Sequence, residues 1–405
     1  MQFEKCVAIV GSGPAGLMAA HVLSRAGVHV TVFEKRPSAG RKILIAGSSG
    51  LNISNELPLL QFADSYQGPP HRWKKTLELF TPQAWIQFIE ALGLETFCGT
   101  SGRYFVRGMK GSSLLRAWVD ALKSQGVLFE YNHSVTDFVV KPTGLELIFE
   151  GNSVLDAKPE FKVICFCMGG GSWEKTPVPV SWPQIFISKG LGFTAFVASN
   201  SGFKVEWGEK FLKEAEGQPL KNIVFTSKKG SRAGELMITS YGLEGTPVYS
   251  LGETGEVWID LVPNLSLAEL TAKLKTTKEN LSPMRRVKKN LNLSVGKLAL
   301  VFHGTPPPVL QDLAQLIARL KSFPITLGER QPLQEAISSS GGLAWAELDD
   351  FYMIKKIPGV FAAGEMLDWD APTGGFLIQG SVSQGHAAGL GILDYLENSD
   401  RKLHP

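Results

Sequence analysis

The chain has little cysteine. Its four residues, Cys6, Cys98, Cys165 and Cys167, form no C-x-x-C pair and no metal-ligand spacing. Their pattern excludes dithiol disulfide-reductase chemistry and offers no metal site. Cys165 and Cys167 fall in the apolar run Val163-Ile164-Cys165-Phe166-Cys167, which reads as a buried strand with structural thiols. So few cysteines in a long chain suit a reducing cytoplasm, which is the expected location. Charge of one sign is also missing: 41 Lys and Arg against 38 Asp and Glu leave a net +3. Without a basic stripe, no nucleic-acid partner is expected, and Arg285-Arg286 with Lys288-Lys289 reads as a solvated face. A membrane span is not expected either. Residues 6–24 carry no formal charge, but Gly11, Gly13, Pro14, Gly16 and His21 interrupt them, and no basic region with a cleavage site marks a signal peptide.

What is present is globular. Hydrophobic residues make up 44% and charged residues 20% of 405 positions, enough for two or three domains with cores of their own. Val7–Val10 predicts a strand, Gly11–Gly16 a turn, Pro14–Ala26 a helix stopped by Gly27, and His29–Glu34 a second strand parallel to the first. A helix is predicted over 112–126, capped by Ser112, followed by strands at Val135–Val140, Leu145–Phe149 and Phe161–Cys167. Composition shifts to Pro and Trp around Pro177–Pro183. Short strands such as Ile223–Thr226 and Val257–Leu261 follow, then a helical stretch over 266–323. That stretch opens with a capping box, Ser266-x-x-Glu269, and includes a helix after Pro306-Pro307-Pro308 whose face is Val309, Leu313, Leu316, Ile317 and Leu320. Near the end, the strand Gly359–Ala363 leads into Gly364-Glu365.

Gly11-Ser12-Gly13-Pro14-Ala15-Gly16 matches G-x-G-x-x-G between a strand and a helix. The first glycine permits the turn, the second lets backbone approach a pyrophosphate, and the third lets helix and strand pack closely. Free N–H groups at the helix start can hold phosphate oxygens. Glu34 ends the second strand, where a carboxylate accepts hydrogen bonds from ribose hydroxyls and repels a 2′-phosphate. These residues specify a dinucleotide without separating FAD from NAD. Thr373-Gly374-Gly375-Phe376-Leu377 opens a glycine-spaced helix whose electropositive start could face a flavin's N1–C2 carbonyl edge.

Several motifs occur in order: Gly40-Arg41-Lys42-Ile43-Leu44, Asn52-x-x-Asn55, Gly234-Glu235-Leu236, Tyr241-Gly242-Leu243-x-Gly245 and Gly364-Glu365-x-Leu367-Asp368-x-x-x-x-Thr373-Gly374-Gly375. Together they resemble the HI0933-like (BaiN-like) flavoproteins of the glutathione-reductase-type FAD superfamily, and the PP4765-type subgroup in particular. The resemblance covers nearly the whole chain. It implies an α/β fold: a discontinuous FAD-binding Rossmann-like domain (1–184 with 341–405), an inserted β-rich substrate domain (185–264 with 324–340) and a small helical domain (265–323). It also implies non-covalent FAD. Gly11, Ser12, Gly13, Pro14, Ala15 and Gly16 would hold the pyrophosphate, and Glu34 the adenosine ribose. Lys35, Arg41 and Lys42 would lie along the cofactor, and Val135 would give backbone hydrogen bonds to adenine. Met168 and Gly169 would stand near the pyrophosphate. Gly364, Glu365 and Asp368 would meet the ribityl chain and pyrophosphate, and Gly375, Phe376 and Leu377 the isoalloxazine.

Two departures fall where the flavin face is expected. Many relatives read Gly-Gly-Gly-Arg-Cys-Asn where this chain reads Gly47-Ser48-Ser49-Gly50-Leu51-Asn52, and Gly-Gly-Tyr-Asn where it reads Gly374-Gly375-Phe376-Leu377. The substrate is therefore not carried over from relatives. Residues 150–340 hold no second G-x-G-x-x-G, so a dedicated NAD(P)H domain is not expected, although NAD(P)H could dock transiently over the flavin. Three readings stand. The first is hydride transfer between flavin N5 and a small organic substrate, with NAD(P)H as reductant. The second is an amine or alcohol oxidase using oxygen, and the third a non-catalytic flavin-binding redox module. No general acid or base is assigned; His71, His303, His386, Tyr241 and Arg103 are the side chains available.

Overall fold

The computed structural model describes residues 6–46, 50–108, 110–151, 160–172, 180–275 and 281–403, with the side chains of 400–403 excepted. Gly47-Ser48-Ser49 and Pro177 lie outside the described residues. The chain divides into two compact units, residues 1–197 with 338–405, and residues 198–337.

The first unit is built on a five-stranded parallel sheet. Its order is Val360–Ala362, Val163–Phe166, Cys6–Val10, His29–Glu34, Leu128–Tyr131. Numbered along the chain, that is 5-4-1-2-3, the Rossmann arrangement. Connections reverse direction between the first and fourth strands, which leaves a crevice at their carboxyl ends. Val7, Ala8, Ile9, Val163, Ile164, Cys165 and Phe166 are fully buried, as strands covered on both faces require. Helix Pro14–Arg25 begins with proline at its first position, where the missing N–H costs nothing. It packs against the last helix, Phe376–Leu403. Gly385 and Gly389 make that approach possible: a Cβ on Gly385 would stand 2.2 Å from the Ala15 carbonyl oxygen, and one on Gly389 2.8 Å from Val22 Cβ.

Three sequence expectations need correction. Ser112 does not cap its helix, which runs Gly111–Ser124 with Lys110 at the cap position and no side-chain bond there. Phe161–Cys167 is not one strand. Glu160–Phe161 pairs with the hairpin strand Gly144–Phe149, whereas Val163–Phe166 joins the central sheet, so the chain changes sheets at Lys162. The helix after the three prolines breaks at Asp312, whose carboxylate accepts the Gln315 amide at 3.0 Å and starts a second helix, Leu313–Lys321.

The second unit carries a six-stranded sheet in the order 203–204, 242–244, 230–239, 219–227, 255–260, 323–327. All its pairs are antiparallel. The capping box at Ser266 and Glu269 forms in both directions, at 2.8 and 3.2 Å. Leu270, Leu274, Val287, Leu316 and Leu320 of the helical stretch bury into the same core as Leu236, Ile238, Val257 and Ile259 of the sheet.

Candidate cofactor site

The glycine turn closes the first strand at the crevice. Gly11 has φ +105°, and its amide donates to the Phe33 carbonyl at 2.8 Å. A Cβ there would stand 2.3 Å from the Cys167 carbonyl oxygen, so only glycine lets the first and fourth strand ends lie side by side. Gly16 faces inward: its Cβ would fall 2.0 Å from the Gly11 carbonyl oxygen. Gly13 is different. Among the described residues, a Cβ there would meet no atom within 4 Å. Two glycines thus close the turn and the middle one leaves open space beside it. The first helix bond runs from the Leu17 amide to the Gly13 carbonyl, so the Ala15 and Gly16 amides precede it.

Glu34 lies over the turn. Its Oε2 accepts the Ser12 amide at 3.1 Å and the Ser12 hydroxyl at 2.5 Å, and its Oε1 accepts the Arg36 amide at 2.9 Å. The Glu34 carbonyl takes the His133 amide at 3.0 Å, and the buried Val135, two residues on, begins the strand Val135–Lys141 of a separate three-stranded sheet. Lys35 and Arg41 point to solvent. Lys42 reaches across the strand ends. Its Nζ lies 3.2 Å from Glu365 Oε2, 3.3 Å from Ser172 Oγ and 3.5 Å from the Gly170 carbonyl. A Cβ on Gly169 would stand 3.7 Å from that nitrogen, and Met168 is half-buried on the core beside it.

Gly364 follows the fifth strand with φ +90°. Its amide donates to Gln384 Oε1 at 2.7 Å, and among the described residues the buried Gln384 Nε2 has no partner. Asp368 Oδ2 accepts the Thr194 hydroxyl at 2.6 Å. Gly375 abuts Ser54: its Cβ would lie 2.4 Å from the Ser54 carbonyl oxygen. The Phe376 ring packs 4.7 Å from Phe62, and its carbonyl accepts the Tyr66 hydroxyl at 2.7 Å. Leu377 is half-buried at the helix start. Gly11–Gly16, Glu34, Lys42, Met168, Gly169, Gly364 and Glu365 therefore converge on the carboxyl ends of the parallel strands. The Asp368 and Phe376 side chains already have partners within the protein.

Sequence reasoning missed the bonds that fix these groups. The Ser12–Glu34 contact, the Lys42–Glu365 pair and the Gln384–Gly364 bond join residues distant in sequence. Asn52, noted only as part of a motif, has a buried Oδ1 without a partner among the described residues. The candidate acids and bases are scattered. His71 is exposed. His303 lies 3.3 Å from Glu214 in the second unit. His386 stacks on Phe80 at 4.7 Å, and burial, with His21 adding to it, pushes its pKa down to about 4, so it is neutral at neutral pH. The Tyr241 hydroxyl donates to Glu244, and burial followed by that carboxylate holds its pKa well above the usual value. Among the described residues, no helix is long and apolar enough to cross a membrane, and no three His, Cys, Asp or Glu side chains group to hold a metal.

Two ribosomal RNA dihydrouridine synthases match the chain along most of its length. The protein from Escherichia coli K12 is 24% identical over 404 residues, covering 95% of this chain and 97% of its own. The protein from Haemophilus influenzae is 23% identical over 408 residues, with the same coverage. Among solved structures, a Rhodococcus jostii 3-ketosteroid-Δ4-(5α)-dehydrogenase superposes with a TM-score of 0.53 at 12% identity, covering 97% of this chain and 98% of its own. A Sterolibacterium denitrificans 3-ketosteroid Δ1-dehydrogenase gives a TM-score of 0.51 at 12% identity, covering 96% and 99%. At that identity these two show a shared fold. The profile of the HI0933-like protein Rossmann domain matches residues 5–391, and the chain belongs to this family of FAD-dependent oxidoreductases.

Proposed function

We propose that the protein is an FAD-dependent reductase that takes hydride from NAD(P)H and delivers it to an electron-poor C=C bond. The observation that carries the cofactor reading is the contrast among the three turn glycines, two closed by backbone and one facing open space. FAD, when bound, supplies the N5 position that accepts and passes on a hydride. The chain's own residues fit it. The Gly11–Gly16 turn with its first-turn amides suits the pyrophosphate, Glu34 the adenosine ribose, and the Val135 backbone the adenine. Lys42, Met168, Gly169, Gly364 and Glu365 line the strand ends along the pyrophosphate and ribityl chain, with Lys35 and Arg41 on the flank. Asp368 and Phe376 would contribute through backbone, beside Gly375 and Leu377 at the ring.

For the substrate, the two curated relatives supply the first candidate. Dihydrouridine is uridine with hydrogen added across a C=C bond conjugated to a carbonyl, a bond suited to hydride addition. The uracil ring within RNA therefore ranks ahead of the free small molecule expected from the sequence. NADH or NADPH should bleach the flavin under anaerobic conditions. Uridine-containing RNA should then restore the oxidised spectrum and yield a nucleoside heavier by two hydrogens. No bleaching with either nucleotide would contradict the reductase reading, and peroxide release on adding an amine would favour an oxidase.

A further inference from the structure

Among the described residues, an arginine without a counter-ion lies beside the Gly374-Gly375 turn. Arg103 stands on strand Arg103–Val106, opposite Asn55 of strand Asn52–Asn55. Its side chain runs along Gly374: Nε, Cζ and Cδ lie 3.2, 3.8 and 3.9 Å from where a Cβ on Gly374 would be. Among the described residues, nothing accepts a hydrogen bond from its guanidinium and no carboxylate pairs with it. Glu56, just after the paired strand, accepts the Cys98 thiol at 3.4 Å. Asn52, on the paired strand, buries an Oδ1 that also lacks a partner. A half-buried guanidinium keeps five N–H donors in a rigid fork and gains most from an oxygen that carries negative charge.

We infer that Arg103 holds the carbonyl oxygen of the substrate while negative charge develops on it. The inference rests on the reductase reading. In reduction of a C=C bond conjugated to C=O, hydride forms a new C–H bond at one carbon. The C=C electron pair moves toward the carbonyl, whose oxygen becomes an enolate oxygen. A proton from water then adds to the other carbon and restores the C=O bond. With FAD bound, NAD(P)H would be the source of that hydride and would end as NAD(P)+, the flavin being returned to its oxidised form. Arg103 acts on the second half of this sequence only, where an oxyanion forms. Loss of one donor to a developing oxyanion costs about a hundredfold or more in rate.

The test uses the holoprotein and its Arg103→Gln and Arg103→Lys variants. Four quantities are compared: flavin reduction by NAD(P)H, reoxidation by ferricyanide, reoxidation by a uridine-rich oligoribonucleotide, and FAD content with melting temperature. Arg103→Gln should slow reoxidation by the oligoribonucleotide about a hundredfold and leave the other three within about twofold, and Arg103→Lys should recover part of the loss. Reoxidation of Arg103→Gln by the oligoribonucleotide at the parent rate would overturn the inference. So would equal slowing with ferricyanide, or FAD loss in both variants, since either makes Arg103 a cofactor or folding residue. A parent protein whose reduced flavin the oligoribonucleotide leaves untouched, while ferricyanide oxidises it, contradicts the substrate reading and takes the inference with it.

Discussion

Gly16→Ala is expected to destabilise the fold severely, whereas Gly13→Ala, three residues earlier, should leave the fold nearly intact and weaken FAD binding. Alanine inside a helix normally gains about 1 kcal/mol over glycine. At Gly16 that gain is overwhelmed, because the new methyl would stand 2.0 Å from the Gly11 carbonyl oxygen and 3.2 Å from Ile9 Cγ2. Gly11 has no room to yield. Its amide is bonded to Phe33, and it lies so close to the Cys167 carbonyl oxygen that a Cβ on it would stand 2.3 Å away. Overpacking of this kind costs about 1–3 kcal/mol or more, and here the obstacle is backbone. Gly13 has φ −77°, which any residue adopts, and open space where a Cβ would go. Alanine is a poorer helix cap than glycine, so a stability loss of at most about 1 kcal/mol is expected. The methyl would occupy the space proposed for the pyrophosphate and lower FAD affinity at least about tenfold, roughly 1.4 kcal/mol. Thermal melts of the apoproteins, with FAD titrations of each, separate the two effects. A Gly13→Ala protein that binds FAD as the parent does would contradict the placement.

Glu34→Ala should reduce FAD affinity by about a hundredfold. A carboxylate over a ribose makes charge-assisted bonds worth about 1.5–3 kcal/mol each. The same carboxylate holds the turn together, since it takes the amide and hydroxyl of the fully buried Ser12. Its loss leaves the Ser12 amide without that acceptor and should cost the apoprotein about 1–3 kcal/mol. Ser12→Ala provides the control. It removes the hydroxyl contact but spares the carboxylate, so stability should drop by about 1 kcal/mol while FAD affinity stays near the parent value. Unchanged FAD affinity in Glu34→Ala would remove Glu34 from the ribose.

The first βαβ unit was legible because local rules converge there: an apolar strand, glycines at set positions, proline at the helix start and an alternating second strand. The order of the central sheet was not, because it depends on pairings such as Ile164 with Val360, whose partners lie far apart in the chain. The run from Phe161 to Cys167 reads as one strand because all but Lys162 are apolar. The break appears only when Phe161 is seen paired with Leu145 and Val163 with Val7. Asp312 reads as a surface charge within a helical pattern, yet its side chain bonds the Gln315 amide and starts a new helix. At the site, glycine spacing revealed the turn and the carboxylate at 34. It could not reveal that Lys42 bridges to Glu365, or that Arg103 lies beside Gly374, since both depend on three-dimensional approach.

FAD binding by the first unit is tested most directly by denaturing the purified protein and identifying what it releases. The prediction is a yellow protein that releases FAD in equimolar amount and whose refolded apoprotein binds added FAD again. A protein that releases no flavin and leaves added FAD free in solution would contradict it.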